Sequence, residues 1–334
     1  MRWLRAIGKL LLTLLGLVLA AGAVSAALSP PRGGRPLAER LNVPYRAVIA
    51  HRGASALAPE STAPAYLLAR EMGVDYLEAD LQRTADGVIV VFHDDTLADK
   101  TNVAQVFPGR ENDPIDTFTY EELLQLDAGS WFNTVYPDRA RPSFAGLRIL
   151  TLEELIAIAL ADEDGPGLYL ETKSAHRHGG YEEEIVRVLR EAGLIDANGN
   201  PAGAAEGRAR VVFQSFYPES LAALQRLAPG VPRVLLVSSE IEAEQGWSRV
   251  LGTASAQAHG VGPIGYLAWP WNVGAAHRAG LIVHPYVINV PWQMRLLSYF
   301  GADGIFTDAP HIALPVYAGK EAPDVEALFR AIGY

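Results

Sequence analysis

From residue 46 onward, short apolar runs rich in β-branched and aromatic residues alternate with longer stretches whose apolar residues recur at helical spacing. This alternation is typical of a parallel sheet whose strands are joined by helices. The predicted strands cover residues 47–50, 76–81, 88–93, 167–172, 211–215, 233–237, 260–263, 281–287 and 304–307. The predicted helices cover residues 63–73, 151–161, 181–193, 218–227, 243–258, 272–280 and 291–300.

Eight strand–helix units remain if the run at 88–93 is an extra extended segment of the second unit. Eight parallel strands with right-handed crossovers close into an α/β fold of the (β/α)8 TIM barrel type. Residues 94–150 interrupt the rhythm with Pro, Gly, Asn and Asp clusters, one predicted helix at 119–127, and the aromatic pair Trp131 and Phe132. We interpret this stretch as a small insertion after the second unit, on the catalytic rim of the barrel.

The N-terminus differs from the rest of the chain. Three basic residues precede an apolar run over residues 10–28, and no acidic residue occurs before Glu39. The small residues around Ala26 predict that residues 1–26 are a secretory signal peptide. An uncleaved signal-anchor is the alternative, because about 19 apolar residues can just span a bilayer. Both place the folded part outside the cytoplasm, either exported to the periplasm or beyond, or anchored to the membrane.

The remaining boundaries follow from these assignments. Residues 27–45, with Pro, Gly and Arg, predict a linker, residues 46–320 the barrel, and residues 321–334 a C-terminal helical tail.

Composition narrows the chemistry. The 334 residues carry 28 Lys and Arg against 38 Asp and Glu, a net charge of −10, and contain no cysteine. That charge gives no general attraction to nucleic acid or to an anionic membrane. The lack of cysteine excludes disulfides, thiolate catalysis and zinc–cysteine sites. Catalysis therefore depends on histidines, carboxylates, hydroxyls or a metal ion.

Carboxylates lie where predicted strands end. Glu78 and Asp80 are two positions apart on one strand and so point to the same face, and Glu171 closes the next strand of the ring. Three oxygen donors without sulfur suit a hard divalent cation, Ca²⁺ or Mg²⁺. Ion pairs with Arg52 or Lys173 are the alternative explanation of these carboxylates.

Two histidines end strands near those carboxylates. His51 and His93 can supply a base and an acid that titrate near neutral pH. Arg52 and Lys173 offer positive charge for a phosphate. Other polar residues at strand ends or in the following loops have weaker support, and they are Gln214, His284, Tyr286, Asp308, His176, His178, Trp269 and Trp271.

The motifs that carry these residues resemble the glycerophosphodiester phosphodiesterase family, in particular its secreted bacterial branch. The matching pieces are Ala50-His51-Arg52-Gly53, Pro59-Glu60-Ser61-Thr62, Tyr76-Leu77-Glu78-Ala79-Asp80, Thr84-Ala85-Asp86-Gly87, His93-Asp94, Glu171-Thr172-Lys173, His284-Pro285-Tyr286 and Gly304-Ile305-Phe306-Thr307-Asp308. Ordered motifs from about residue 47 to residue 314 make this likeness specific.

The resemblance implies a barrel with a small insertion after His93. It also implies one divalent cation held by Glu78, Asp80 and Glu171, with His51 and His93 as the acid/base pair and with Arg52 and Lys173 at the phosphate. The expected reaction is hydrolysis of glycerophosphodiesters to glycerol 3-phosphate and an alcohol. Lysophospholipase D or sphingolipid-type phospholipase D activity is one alternative, and non-catalytic phosphodiester binding is another.

Three positions depart from the usual family pattern. Ser61 stands where Asn is common, and we expect it to cap the following helix. Thr172 replaces an apolar residue. The loop at 287–289 is less polar than usual, which bears on the preferred alcohol. The expected partner is a small phosphodiester, with no nucleic acid, no protein partner, and membrane contact only through an uncleaved N-terminal segment.

Overall fold

We describe a computed structural model of the chain, which covers residues 2–28, 33–162, 164–173, 177, 179–202 and 208–334. Eight parallel strands form one ring in the order β8, β7, β6, β5, β4, β2, β1, β9. They are β1 Ala47–Ala50, β2 Tyr76–Arg83, β4 Gly167–Thr172, β5 Val211–Ser215, β6 Arg233–Val237, β7 Gly260–Pro263, β8 Ile282–Val283 and β9 Gly304–Thr307. Backbone hydrogen bonds from Asp303 N to Val283 O (2.9 Å) and from Phe306 N to Pro285 O (3.0 Å) join the two ends. The predicted (β/α)8 barrel is confirmed.

One further strand, β3 (Ile89–Val91), lies outside the ring and pairs antiparallel with β2. It is the extra extended segment predicted for the second unit. The predicted strand at 281–287 is shorter in the structure, because Pro285 has no N–H to donate. One isolated bridge, between Ile264 and Tyr286, continues the pairing beyond it.

Helices surround the ring. They are α1 Arg2–Leu28, α2 Gly34–Arg40, α3 Ala63–Glu71, α4 Val103–Val106, α5 Tyr120–Leu123, α6 Ser130–Val135, α7 Leu152–Ala159, α8 Tyr181–Glu191, α9 Pro218–Leu227, α10 Ser239–Gln245, α11 Trp247–Gln257, α12 Pro270–Arg278, α13 Pro291–Phe300, α14 Pro310–Ala313 and α15 Val325–Ile332. The prediction of one helix at 243–258 is wrong. Gly246 has φ 74°, a left-handed value that glycine adopts without a Cβ clash, and it divides this stretch into α10 and α11.

Helix starts differ in how they are capped. Thr151 begins α7 with a capping box, in which its side chain accepts from Glu154 N. The expectation that Ser61 caps α3 is wrong. Thr62 occupies the N-cap position without a side-chain capping bond, and Ser61 itself has a left-handed φ of 59°.

Alternation along β2 divides its side chains between two environments. Leu77, Ala79 and Leu81 pack outward under the helices, whereas Tyr76 belongs to a second apolar cluster inside the barrel. Glu78 and Asp80 share the inward face of Tyr76, because side chains two apart on a strand point the same way. The strand pattern therefore places both carboxylates in the barrel interior.

Residues 33–45 are not the linker that we expected. This stretch contains α2, and Ala38 and Val43 are buried in the same cluster as the N-terminal ends of the strands. A Cβ on Gly34 would lie 1.9 Å from Asp303 Oδ1, so this close approach requires glycine. The segment closes the N-terminal end of the barrel, opposite the ends that carry the polar residues.

The insertion has a small core of its own. Val90 and Phe92 pack there with Leu97, Phe118 and Leu123. Its predicted helix at 119–127 is only the short α5.

The C-terminal helix α15 packs on the insertion. Phe329 is buried 6.1 Å from Phe144, measured between ring centroids, and Glu326 pairs with Arg141 at 2.5 Å. The insertion and the C-terminal helix thus support each other.

Candidate active site

Three carboxylates meet inside the C-terminal end of the barrel. Asp80 and Glu171 are register partners on β2 and β4, and Glu78 lies two positions before Asp80 on the same face. One oxygen of each residue lies within 4.8 Å of an oxygen of the others. All three side chains belong to buried residues, of which Glu171 is the most exposed at 7%. Such a cluster of anions out of water needs compensating positive charge.

Two cations supply part of that charge. Arg52 Nε lies 3.3 Å from Asp80 Oδ2, and Lys173 Nζ lies 3.5 Å from Glu171 Oε1 and 3.8 Å from Asp80 Oδ1. The ion pairs considered from the sequence are therefore present. They leave three carboxylates facing only two basic side chains.

The pKa values reflect this imbalance. Burial, together with the charges of Asp80 and Glu171, raises the pKa of Glu78 well above its usual range. Burial also raises the pKa of Glu171 to about 7, even though Lys173 opposes the shift. Burial alone would raise the pKa of Asp80, but Arg52 and Lys173 outweigh it and hold that pKa at about 2. A further cation beside Glu78 and Glu171 would relieve their mutual repulsion.

Among the described residues, two buried oxygens near the cluster, Asp80 Oδ2 and Gln214 Oε1, make no hydrogen bond. Asp80 Oδ2 has its ion-pair contact with Arg52 Nε at 3.3 Å, while Gln214 Nε2 donates to Glu78 Oε1 at 3.0 Å. A buried oxygen without a hydrogen-bond donor is energetically costly, and coordination of a hard cation satisfies such an oxygen. The donor set of Glu78, Asp80 and Glu171 therefore fits Mg²⁺ or Ca²⁺.

Each of the two histidines is held by a carboxylate through Nδ1. His51 Nδ1 lies 2.6 Å from Asp308 Oδ1, and His93 Nδ1 lies 2.6 Å from Asp94 Oδ1. Asn289 Nδ2 donates to Asp308 Oδ2 at 2.5 Å and fixes that carboxylate in turn. Within the described part of the chain neither Nε2 makes a hydrogen bond, so Nε2 is the ring nitrogen available for proton transfer.

Two cavities meet at this point. The first, about 170 Å³, is lined by all seven residues singled out from the sequence. They are His51, Arg52, Glu78, Asp80, His93, Glu171 and Lys173. The second, about 540 Å³, extends toward the insertion and shares only His51 and Arg52 with the first. The two residues lie where a bound phosphodiester could reach into both spaces.

The weaker candidates have different fates. Gln214 and Tyr286 line the first cavity. His284 does not, because it is fully buried with Nδ1 3.1 Å from Tyr169 Oη. Trp269 and Trp271 stack on each other at 5.2 Å between centroids, outside both cavities. His176 and His178 lie outside the described residues.

Sequence reasoning assigned no role to several residues that position the site. Glu60 accepts from Arg52 Nη1 at 2.9 Å, and Asp94 and Asn289 hold the two histidine assemblies. Glu60 and Asp94 do occur in the quoted motifs, which was the available signal. Phe216 lines the first cavity directly after β5, and no polar pattern marks it.

Comparison with known proteins gives one consistent result. Residues 51–312 match the model of the glycerophosphoryl diester phosphodiesterase family. A glycerophosphodiester phosphodiesterase of Bacillus subtilis (strain 168) is 34% identical over 273 residues, covering 81% of this chain and 86% of that protein. One from Caldanaerobacter subterraneus is 31% identical over 264 residues, covering 79% of this chain and 94% of that protein.

Solved structures agree in fold. A phosphodiesterase of Oleispira antarctica, in complex with the product sn-glycerol-3-phosphate, is 28% identical with a TM-score of 0.62, covering 80% of this chain and 94% of that one. A glycerophosphodiester phosphodiesterase of Agrobacterium tumefaciens is 25% identical with a TM-score of 0.59, covering 82% and 99%.

Proposed function

The chain belongs to the glycerophosphoryl diester phosphodiesterase family and is an enzyme of that kind, and from this premise we propose that it hydrolyses glycerophosphodiesters to glycerol 3-phosphate and an alcohol with the help of one divalent cation. The observation that carries the proposal is the arrangement of Glu78, Asp80 and Glu171 beside two carboxylate-held histidines, in one cavity. Membership of an enzyme family sets aside the non-catalytic alternative.

Glu78, Asp80 and Glu171 would hold the cation, Ca²⁺ or Mg²⁺. The buried Asp80 Oδ2, which has an ion-pair contact with Arg52 Nε but makes no hydrogen bond among the described residues, supports this assignment, as does the unbalanced carboxylate charge. A bound cation would supply Lewis-acid stabilisation of the charge that develops on the phosphoryl oxygens.

Arg52 and Lys173 would bind the non-bridging phosphate oxygens. Both border the carboxylate cluster and line the first cavity. The Arg52 guanidinium is oriented by Glu60 on one side and by Asp80 on the other. Because the whole chain carries a net charge of −10, attraction of an anionic substrate depends on these local charges.

His93 and His51 would move the protons. Of these two cavities His93 lines the first, and it would accept the proton of the attacking hydroxyl through Nε2 as the new P–O bond forms. His51 lines both cavities, and it would donate a proton through Nε2 to the departing alkoxide as the second P–O bond breaks. If the attacking hydroxyl belongs to water, glycerol 3-phosphate forms directly; if it belongs to the neighbouring glycerol carbon, a cyclic phosphate forms first, and water then opens it to glycerol 3-phosphate. Asp94 and Asp308 would keep both rings oriented through Nδ1.

The decisive experiment is a metal-reconstituted assay on the full chain. We expect release of glycerol 3-phosphate from glycerophosphocholine and glycerophosphoethanolamine with Mg²⁺ or Ca²⁺, and loss of activity with a chelator. Variant His93→Gln should be inactive. Absence of glycerol 3-phosphate with both substrates and both cations would overturn the proposal.

A second candidate activity, on singly acylated lipids, has one observation in its favour. The second cavity, of about 540 Å³, is lined partly by Leu57, Trp131 and Ile312, so it offers apolar surface to the acyl chain that such a lipid carries on its glycerol part. Side-by-side turnover of glycerophosphocholine and lysophosphatidylcholine separates the two. Faster release of choline from lysophosphatidylcholine than from glycerophosphocholine would favour a lysophospholipase D.

Site of action also remains a proposal. Within α1, residues Ile7–Val24 form a helix long and apolar enough to cross a membrane, with a mean hydropathy of 2.2. This helix supports export of the barrel, either free after cleavage or anchored. N-terminal sequencing of the exported protein distinguishes the two.

A further inference from the structure

An aromatic surface that has no part in the proposed reaction lies beside the barrel mouth. Outside α1, the described residues include eight exposed large hydrophobic side chains, and five of them belong to this surface. We call it the aromatic patch, and its members are Tyr266, Trp271, Val290, Trp292 and Tyr299, which are 41–62% exposed. Exposed apolar groups gathered in one place commonly mark a binding surface.

A groove of about 150 Å³ connects the patch. It runs between the turn at Gly265–Leu267 and helix α13, and Tyr266 and Trp292 line it. Trp271 joins through its stacking on Trp269, which also lines the groove. Among the described residues, those that line this groove carry no charge.

The N-terminal helix indicates which surroundings the aromatic patch faces. Helix α1 contacts α12, the helix that carries Trp271. Within the apolar window Ile7–Val24, Gly22 is buried and Gly8 is half-buried, and the other residues are exposed. If that window crosses a bilayer, the contact of α1 with α12 places α12 close to the membrane surface. Because α12 has nine residues, Trp271 is within about 13 Å of any point of that contact.

We propose that the aromatic patch docks on the bilayer crossed by α1 and forms a second membrane contact of the uncleaved enzyme. Trp and Tyr favour the boundary between headgroups and acyl chains, where the ring is partly buried and its polar atom stays hydrated. The uncharged groove fits a zwitterionic surface and needs no attraction by anionic lipid, in keeping with the net charge of −10. The contact would fix the orientation of the barrel, which one helix alone leaves free to rotate.

This orientation has a consequence for the active site. Three consecutive residues after β8 line three different spaces. Val287 lines the first cavity, Ile288 the groove, and Asn289 the second cavity. Docking of the patch would therefore bring the opening of both catalytic cavities close to the lipid headgroups.

The cysteine-free sequence permits a clean test with single-cysteine variants. Trp292→Cys and Tyr299→Cys report on the patch. Leu160→Cys is the control, because Leu160 is also exposed and ends α7, which leads into β4 on the far side of the ring from β8. Each full-length variant is labelled with an environment-sensitive fluorophore and reconstituted into phosphatidylcholine vesicles. Doxyl-labelled phosphatidylcholine is then the quencher.

We expect quenching of the label at positions 292 and 299 and none at 160. If the quencher leaves the fluorescence unchanged at all three positions, that result would overturn the proposal. So would energy transfer between labels on two copies without lipid quenching, because that result identifies a second copy of this chain as the occupant. The readout does not depend on catalysis, so it stands or fails separately from the proposed reaction.

Discussion

His51 Nδ1 lies 2.6 Å from Oδ1 of Asp308, a residue 257 positions further along the chain. The contact exists because β1 and β9 are neighbours in the ring, with Ala50 paired to Thr307, so the residues that follow the first and last strands meet. Burial would raise the pKa of Asp308, but the hydrogen bond and charge of His51 lower it. Closure of the barrel is thus what assembles one of the two histidine–carboxylate pairs.

Variant Asp308→Asn tests whether this pair serves catalysis. An amide keeps the shape, but it has one accepting oxygen where the carboxylate accepts from both His51 Nδ1 and Asn289 Nδ2, so we expect kcat to fall by about 10²–10⁴-fold with little change in KM. Steady-state kinetics across pH provide the measurement. A structural role alone would instead lower the melting temperature and leave kcat of the folded fraction unchanged. Ser55→Ala, which removes a hydroxyl 3.1 Å from the same carboxylate and 2.8 Å from the His51 carbonyl oxygen, is the matched control and should have a much smaller effect.

Glu171→Gln tests the proposed cation site. The variant keeps the size of the side chain but removes one of three clustered carboxylates, and we expect the affinity for Ca²⁺ or Mg²⁺ to fall at least about tenfold. Isothermal titration calorimetry on the purified chain measures this directly. The exposed-loop variant Asp196→Asn should bind the cation as the wild type does. Unchanged affinity in Glu171→Gln would place the cation elsewhere.

Ser61→Asn tests a backbone effect. Ser61 has φ 59°, in the left-handed region, where Asn is more readily accommodated than most residues with a Cβ. We expect the variant to raise the free energy of unfolding by about 0.5–1 kcal/mol, measured by urea denaturation. Ser298→Asn, in the interior of α13, should bring no gain. A loss of stability in Ser61→Asn would show that the buried position lacks room for the amide.

The barrel could be predicted because short, largely apolar runs alternate with stretches of helical spacing, and β1, β4, β5, β6, β7 and β9 have the predicted limits. The barrel topology gathers residues at the ends of parallel strands at one rim, so the seven candidates lie together although they are far apart in sequence.

What the sequence did not predict depends on long-range contacts. The pairing of Asp308 with His51, and the bond from Asn289 that supports it, form only when the ring closes. The polar residues of α2 predict a linker, because the sequence alone does not show that Ala38 packs against the strand ends. Gly246 lies within the predicted helix at 243–258, because the spacing of apolar residues does not reveal that its φ is positive.

The fully buried His284 predicts how stability depends on pH. Burial lowers its pKa to about 4, and its Nε2 has no hydrogen-bond partner among the residues that the structure describes. An unfolded chain binds the proton near pH 6.5, whereas the folded chain resists it until about pH 4, so the stability present at neutral pH falls as pH falls through this window. The full loss from one such group is about 3 kcal/mol.

We therefore expect the difference in unfolding free energy between pH 7 and pH 5 to be smaller in His284→Leu than in the wild type. Urea denaturation at both pH values measures it, and comparing the two proteins cancels the opposite trend of Glu171, whose raised pKa lowers stability as pH rises. Tyr169→Phe removes the 3.1 Å bond to His284 but keeps the imidazole, so it should retain the wild-type pH dependence. An identical pH dependence in His284→Leu and the wild type would mean that His284 is already protonated, or hydrated, in the folded protein.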